Sequence, residues 1–154
     1  MQKVGTMSFL GQIRLFDGLS DLELAGIQKL GFPINLGASE YVFQEGSLGH
    51  QLYVILSGRV EILMEDAAHP GSSVALATLG THDIFGEFSL FDDYPRSASA
   101  FTLEPASLLE FHKADLWDLF EQDRQVGLIV LKNLGAILCE RMRAADNQFK
   151  TIVS

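Results

Sequence analysis

The apolar positions of the chain change their spacing twice. Leu15, Phe16, Leu19, Leu22, Leu24, Ile27 and Leu30 recur at roughly every third or fourth residue, the period of a helix with one buried face. Ser20 followed by Glu23 forms a capping-box signature, so a helix is predicted to start at Ser20, with Gly31 placed to stop it. From Pro33 to about Glu110 the apolar runs shorten. Tyr41–Phe43, Leu52–Leu56, Val60–Met64, Val74–Leu79 and Ala106–Phe111 are predicted strands, punctuated by Gly37, Gly46, Gly49, Gly58, Pro70-Gly71 and Gly80. Ser57-Gly58 is expected to close a tight hairpin between the second and third of these strands, and the polar Asp66–Ser73 to be the tip of another.

Helical spacing then returns. Lys113–Gln122 carries Leu116, Trp117, Leu119 and Phe120 on one side, and a longer helix is predicted from about Arg124 to Gln148. Within it Leu131, Leu134, Leu138, Arg141 and Ala145 alternate by three and four, a narrow seam of coiled-coil type. The seam faces the strands, a second copy of the helix, or both. Gly127 and Gly135 each cost the helix about 1 kcal/mol relative to alanine, and close packing against another backbone is the expected compensation.

Many short strands between helices predict a mostly β protein with flanking helices. The expected architecture is an antiparallel, jelly-roll-like β-barrel (a double-stranded β-helix) over about 33–111. One N-terminal helix precedes it and two C-terminal helices follow over about 113–148. No internal repeat and no boundary breaks the pattern, so residues 1–154 are read as a single domain.

Composition narrows the function. The chain has 154 residues, 47% of them hydrophobic and 20% charged, which fits one packed core rather than disorder. The formal net charge is −9 and the 11 basic residues are scattered, so direct binding of nucleic acid or of anionic lipid is not expected. Cys139 is the only cysteine. It cannot close an internal disulfide, which fits a reducing compartment and a cytoplasmic protein. Its neighbours Ile137, Leu138 and Met142 suggest a packed thiol. Met1–Leu10 lacks the apolar core of a secretion signal, and no apolar run is long enough to span a membrane.

The candidate chemistry lies in the stretch from Phe85 to Ala100. Gly86 permits an unusual backbone angle or a close approach to a ligand. Glu87–Phe91, which includes Phe88 and Ser89, can form one helical turn whose N-terminal N–H groups suit an anion. Asp92–Pro95 is turn-like and returns Arg96 and Ser97 towards that turn. Glu87 can accept hydrogen bonds from sugar hydroxyls, Arg96 can hold a phosphate with two parallel bonds, and Ser97 can donate a third. Taken singly, Arg96 is equally a solvated turn residue and Glu87 an exposed one. The residues alone leave a binding role and a structural role open.

This stretch closely resembles the phosphate-binding cassette of the cyclic-nucleotide-binding domain family. That family includes bacterial catabolite activator proteins, regulatory subunits of cAMP-dependent kinase and cyclic-nucleotide-gated channels. Phe85-Gly86-Glu87 and Arg96-Ser97-Ala98 match its F-G-E and R-[S/T/A]-A elements. Phe43, Gly46, Gly49, Tyr53, Ile55 and Gly58 match its F-x-x-G…G…Y-x-I-x-x-G run. The resemblance covers roughly Leu15 to Ala145. It implies a ligand, cAMP or cGMP, and no catalysis and no cofactor or metal. It implies that Glu87 binds the ribose 2′-hydroxyl and that Arg96 pairs with the cyclic phosphate. Ser97 and the N–H groups near Gly86 and Glu87 complete the cradle, and the last helix caps the base near Arg141 and Met142. Serine rather than threonine at position 97 leaves the choice between cAMP and cGMP open, with cAMP favoured. His50 departs from the acidic residue often found there, and neither it nor Ser47 is expected to touch the cradle. In bacterial regulators of the family a DNA-binding domain follows the long helix. Here Phe149–Ser154 follows, which fits a stand-alone sensor or one domain of a longer protein.

Two other readings compete. A cupin-type metalloenzyme would share the barrel, but His50, His69, His82 and His112 form no H-x-H pair. A degenerate, non-binding interaction scaffold of the same fold is the second. No G-x-S-x-G elbow supports nucleophilic catalysis.

Overall fold

The computed structural model describes residues 9–153. The Met1–Leu10 stretch lies outside them except for its last two residues. Helix α1 spans Asp21–Leu30. Eight strands follow: β1 (Phe32–Leu36), β2 (Tyr41–Phe43), β3 (Gln51–Ser57), β4 (Val60–Glu65), β5 (Ser73–Leu79), β6 (Ile84–Phe85), β7 (Ser99–Thr102) and β8 (Ala106–His112). Helices α2 (Lys113–Gln122) and α3 (Arg124–Val153) complete the chain, with short 3-10 turns at Arg14–Phe16 and Glu87–Leu90. The described residues divide into two compact units, one of residues 27–117 and one built from residues 9–26 and 118–153.

The strands of the first unit form two antiparallel four-stranded sheets, in the orders β1-β8-β3-β6 and β2-β7-β4-β5. The class is the expected one, mostly β with flanking helices, but the strands are shared between two sheets and do not close into one barrel. Tyr53, Ile55, Phe85 and Leu108 of the first sheet and Val60 and Ala100 of the second share one core cluster. The opposite face of β3 buries Leu52 and Val54 as well. A strand covered on both faces reads as a continuous apolar run, which is why β3 stands out in the sequence.

The expected Ser57-Gly58 hairpin is not there. β3 pairs with β8 and β6, while β4 pairs with β5 and β7. The register of β3 on β8 slips between Ile55 and Ser57. Such an irregularity bends a strand, so Ser57-Gly58 is a corner where the chain passes from one sheet to the other. The Asp66–Ser73 tip does join a hairpin, β4 to β5. Strand β1 runs through Pro33 at the edge of its sheet, a place where a missing N–H is tolerated.

In the second unit the capping box forms as predicted. The Ser20 backbone N–H donates to Glu23 Oε1 at 2.9 Å, and the Glu23 N–H donates to Ser20 Oγ at 3.2 Å. Val126, Val130, Leu134 and Ile137 form the buried stripe of α3, and Asn133 Nδ2 donates to the carbonyls of Leu15 and Asp17. Arg14 pairs with Glu140. A methyl group on Gly127 would lie 2.8 Å from Phe120 Cβ, so this glycine has the close packing expected of it, whereas Gly135 faces open space. Cys139 is exposed rather than packed. It follows the inward-facing Ile137 by two residues, about 200° around a helix. From Leu138 onward no described side chain of α3 is buried. Among the described residues no helix is long and apolar enough to cross a membrane.

Candidate ligand site around Arg96

The site is built where β6 ends. The Phe85 ring is buried and stacks on Tyr53 at 5.1 Å between centroids. Gly86 then takes a left-handed conformation, φ 77°, which starts the Glu87–Leu90 turn. A Cβ at Gly86 would stand 2.9 Å from the Gln51 carbonyl oxygen and 3.0 Å from Arg96 Nη1. Both the angle and the space therefore require glycine. Ser89 is buried, with its hydroxyl directed at the carbonyls of Gly86 (2.8 Å) and Gln51 (3.1 Å). Trp117 Nε1 donates to the Leu90 carbonyl at 2.8 Å, and Lys113 Nζ reaches the Asp92 carbonyl (3.2 Å) and Asp93 Oδ1 (3.1 Å). These contacts fix the loop that returns the chain to Arg96.

Arg96 is held by its backbone and its side chain separately. Its N–H donates to the Ser47 carbonyl at 2.8 Å, and its carbonyl accepts from the Gly46 N–H at 2.8 Å. Ser47 therefore does touch the cradle, through its main chain. The guanidinium is turned inward and only 8% of the residue is exposed. Nη2 donates to the Gln51 carbonyl at 3.0 Å and lies 3.4 Å from Gln51 Oε1, and Nη1 lies 3.4 Å from the Gly86 carbonyl. Cζ sits 4.0 Å from the centre of the Phe43 ring. Nε is buried with no hydrogen-bond partner. Burial lowers the pKa of Arg96, while Tyr53, Glu110 and Glu87 act in the opposite sense. None of these groups makes an ion pair with it among the described residues.

The structure therefore brings together Phe85, Gly86, Ser89 and Arg96, with Glu87 and Ala98 buried beside them in the chain. Phe88 and Ser97 are exposed. Arg141 is half-buried on α3, in the other compact unit. Gln51 is the residue that sequence reasoning missed. It acts through its main-chain carbonyl, so its residue type carries no signal. His50 Nδ1 lies 3.8 Å from Asp93 Oδ1, on the rim of the returning loop. Burial and a hydrogen bond to Glu110 raise the pKa of Tyr53, and the Glu110 carboxylate also meets His112 Nε2 at 3.1 Å.

A buried cation with no ion pair among the described residues and one N–H without an acceptor can take up an anion. Two sheets with a glycine turn and such an arginine at their margin define a small ligand-binding module. Residues 33–123 match the cyclic nucleotide-binding domain, and the chain belongs to that family. Over 136 residues it is 36% identical to the Cyclic AMP receptor protein of Thermus thermophilus, covering 86% of this chain and 58% of that one. The CRP-like cAMP-activated global transcriptional regulator of Mycobacterium tuberculosis is 28% identical over 94% of this chain and 62% of its own length. The crystal structure of Thermus thermophilus Catabolite Activator Protein superposes with a TM-score of 0.79 at 31% identity, over 91% of this chain and 63% of that one. The chain thus spans less than two thirds of the length of these relatives.

Proposed function

We propose that the chain binds a cyclic purine mononucleotide, cAMP in preference to cGMP, and works as a regulatory domain without catalysis of its own. The observation that carries this reading is the Arg96 guanidinium, buried, free of ion pairs among the described residues, and with an Nε–H that has no acceptor. An acidic protein gains nothing from such a group unless an anion completes it. In this reading Arg96, Ser97 and the N–H groups near Gly86 and Glu87 hold the cyclic phosphate, and Glu87 accepts from the ribose 2′-hydroxyl. Phe85, Phe88, Ser89 and Ala98 shape the cradle. The names of two relatives, a cyclic AMP receptor and a cAMP-activated regulator, support the choice of ligand.

Residues 1–154 act in this reading as one cytoplasmic module that needs no cofactor and no direct contact with nucleic acid or membrane. Helix α3 relays the ligand, with Arg141 towards the base, and pairs with the α3 of a second copy. Calorimetry with cAMP, cGMP and 5′-AMP tests the ligand. Binding of cAMP tighter than of the other two is expected, and tighter binding of 5′-AMP than of either cyclic nucleotide would overturn the reading. No binding to either cyclic nucleotide would favour the scaffold.

A further inference from the structure

We propose that Phe43 is a positioning residue for the anion site, its ring face serving in place of the counter-anion that a buried arginine ordinarily needs. The inference rests on the reading of Arg96 as the phosphate contact and adds to it a residue that touches no ligand.

A buried charge is stable only when paired or well hydrogen-bonded. Arg96 has neither in full measure. Two of its three polar contacts are long, at 3.4 Å, and Nε has none. Glu110 and Glu87 act on Arg96 without an ion pair among the described residues, and the Phe43 ring lies 4.0 Å from Cζ. That distance is well inside the roughly 6 Å reach of a cation–π contact, which is strongest where water is excluded. A carboxylate paired with the guanidinium would take its N–H edge, the edge a phosphate must use. A ring meets the guanidinium on its face and takes up none of its N–H groups. Phe43 thus steadies the cation without neutralising it.

The ring is fixed for this task. Phe43 lies on β2 opposite Ala100 of β7, and its ring packs 6.0 Å from Tyr53 and 5.9 Å from Phe85. The strand that carries it continues into the Gln44–Ser47 turn that grips the Arg96 backbone. One segment therefore holds both ends of the arginine. Phe43→Leu would keep much of the apolar volume and remove the ring's negative face.

The test is calorimetry on the full chain with cAMP, for wild type, Phe43→Leu, Phe43→Tyr, and protein with pentafluorophenylalanine at position 43. The fluorinated ring keeps its shape and reverses its face potential, so it remains informative if the leucine variant does not fold. Roughly tenfold weaker binding is expected for the leucine and fluorinated proteins, and near-normal binding for Phe43→Tyr. Fluorination that leaves cAMP affinity unchanged overturns the role of Phe43 alone. Wild-type protein that binds neither cAMP nor cGMP overturns the reading of the site and this inference with it.

Discussion

A methyl group on Gly49 would stand 2.6 Å from both Nε and Nη2 of Arg96. Backbone and guanidinium are in contact there, and only glycine leaves the arginine room to lie over Phe43. The clashing atoms belong to the free end of a long side chain, so that end yields before the backbone does. Gly49→Ala is therefore expected to keep the fold, with a melting temperature within a few degrees of wild type. Displacement of the charged head by about 1 Å is expected to weaken cAMP binding by tenfold or more. Calorimetry and thermal melting on the same sample check both halves, and unchanged affinity would show that the position of the head is immaterial.

Arg96 itself should trade stability for binding. Even a buried ion pair can often be replaced by apolar groups of similar volume with a gain of about 1–4 kcal/mol, and a buried cation with no ion pair has less to lose. The Gln51 carbonyl would keep the Ser89 hydroxyl as a donor. Arg96→Met is thus expected to raise the melting temperature of the ligand-free protein and to weaken cAMP binding by a few hundredfold or more. A variant that melts lower than wild type would show that the cation is a net stabiliser.

The candidate site residues were legible in the sequence, and the contacts that hold them in place were not. Gly86, Glu87 and Arg96 stand out because Phe85-Gly86-Glu87 and Arg96-Ser97-Ala98 resemble a known cassette; taken by themselves they left a binding and a structural role open. Gln51 and Ser47 do not, because each offers a main-chain carbonyl that any residue would offer. The helices were legible almost to their ends, since the capping box at Ser20 and the apolar stripe of Lys113–Gln122 are local signals. The corner at Ser57-Gly58 was misread because a turn between two apolar runs looks the same whether the runs pair or part. The short strands Ile84–Phe85 and Ser99–Thr102 exist through their partners, Tyr53 and Val54 in one case and β4 in the other. No periodicity can accumulate over so few residues.

Tyr53 should give the protein an alkaline limit. Burial, and then the hydrogen bond to Glu110, raise its pKa above the ordinary 10.0. For a phenol raised in the folded state, the unfolded chain loses its proton first as pH rises. Stability from this group is therefore fully present below about pH 10 and is lost as pH climbs from there towards the folded value. Tyr53→Phe removes the ionisation and should flatten the fall in stability above pH 10. Urea unfolding at pH 9, 10 and 11 compares the two proteins. Parallel curves would mean that Tyr53 ionises alike in both states.

Helix α3 runs for 30 residues, about 45 Å at 1.5 Å per residue. Leu134 and Ile137 are already buried within the chain, which takes Leu134 out of any seam between copies. The side left over is Leu128, Leu131, Gly135, Leu138, Met142 and Ala145, spaced three and four throughout. Leu128 and Met142 are 65% and 67% exposed, and Gly135 has open space before it. A half-helix without a buried side chain is marginal in water by itself, and the heptad spacing matches what a second copy of α3 would supply. A glutamate placed in the seam would bury one carboxylate against another across the interface, which is unfavourable. Met142→Glu alters an exposed side chain and should leave the fold intact. Sedimentation is expected to find a wild-type dimer and a monomeric Met142→Glu variant with similar melting at low concentration. A monomeric wild type at high concentration, or a variant that still dimerises, would place the association elsewhere.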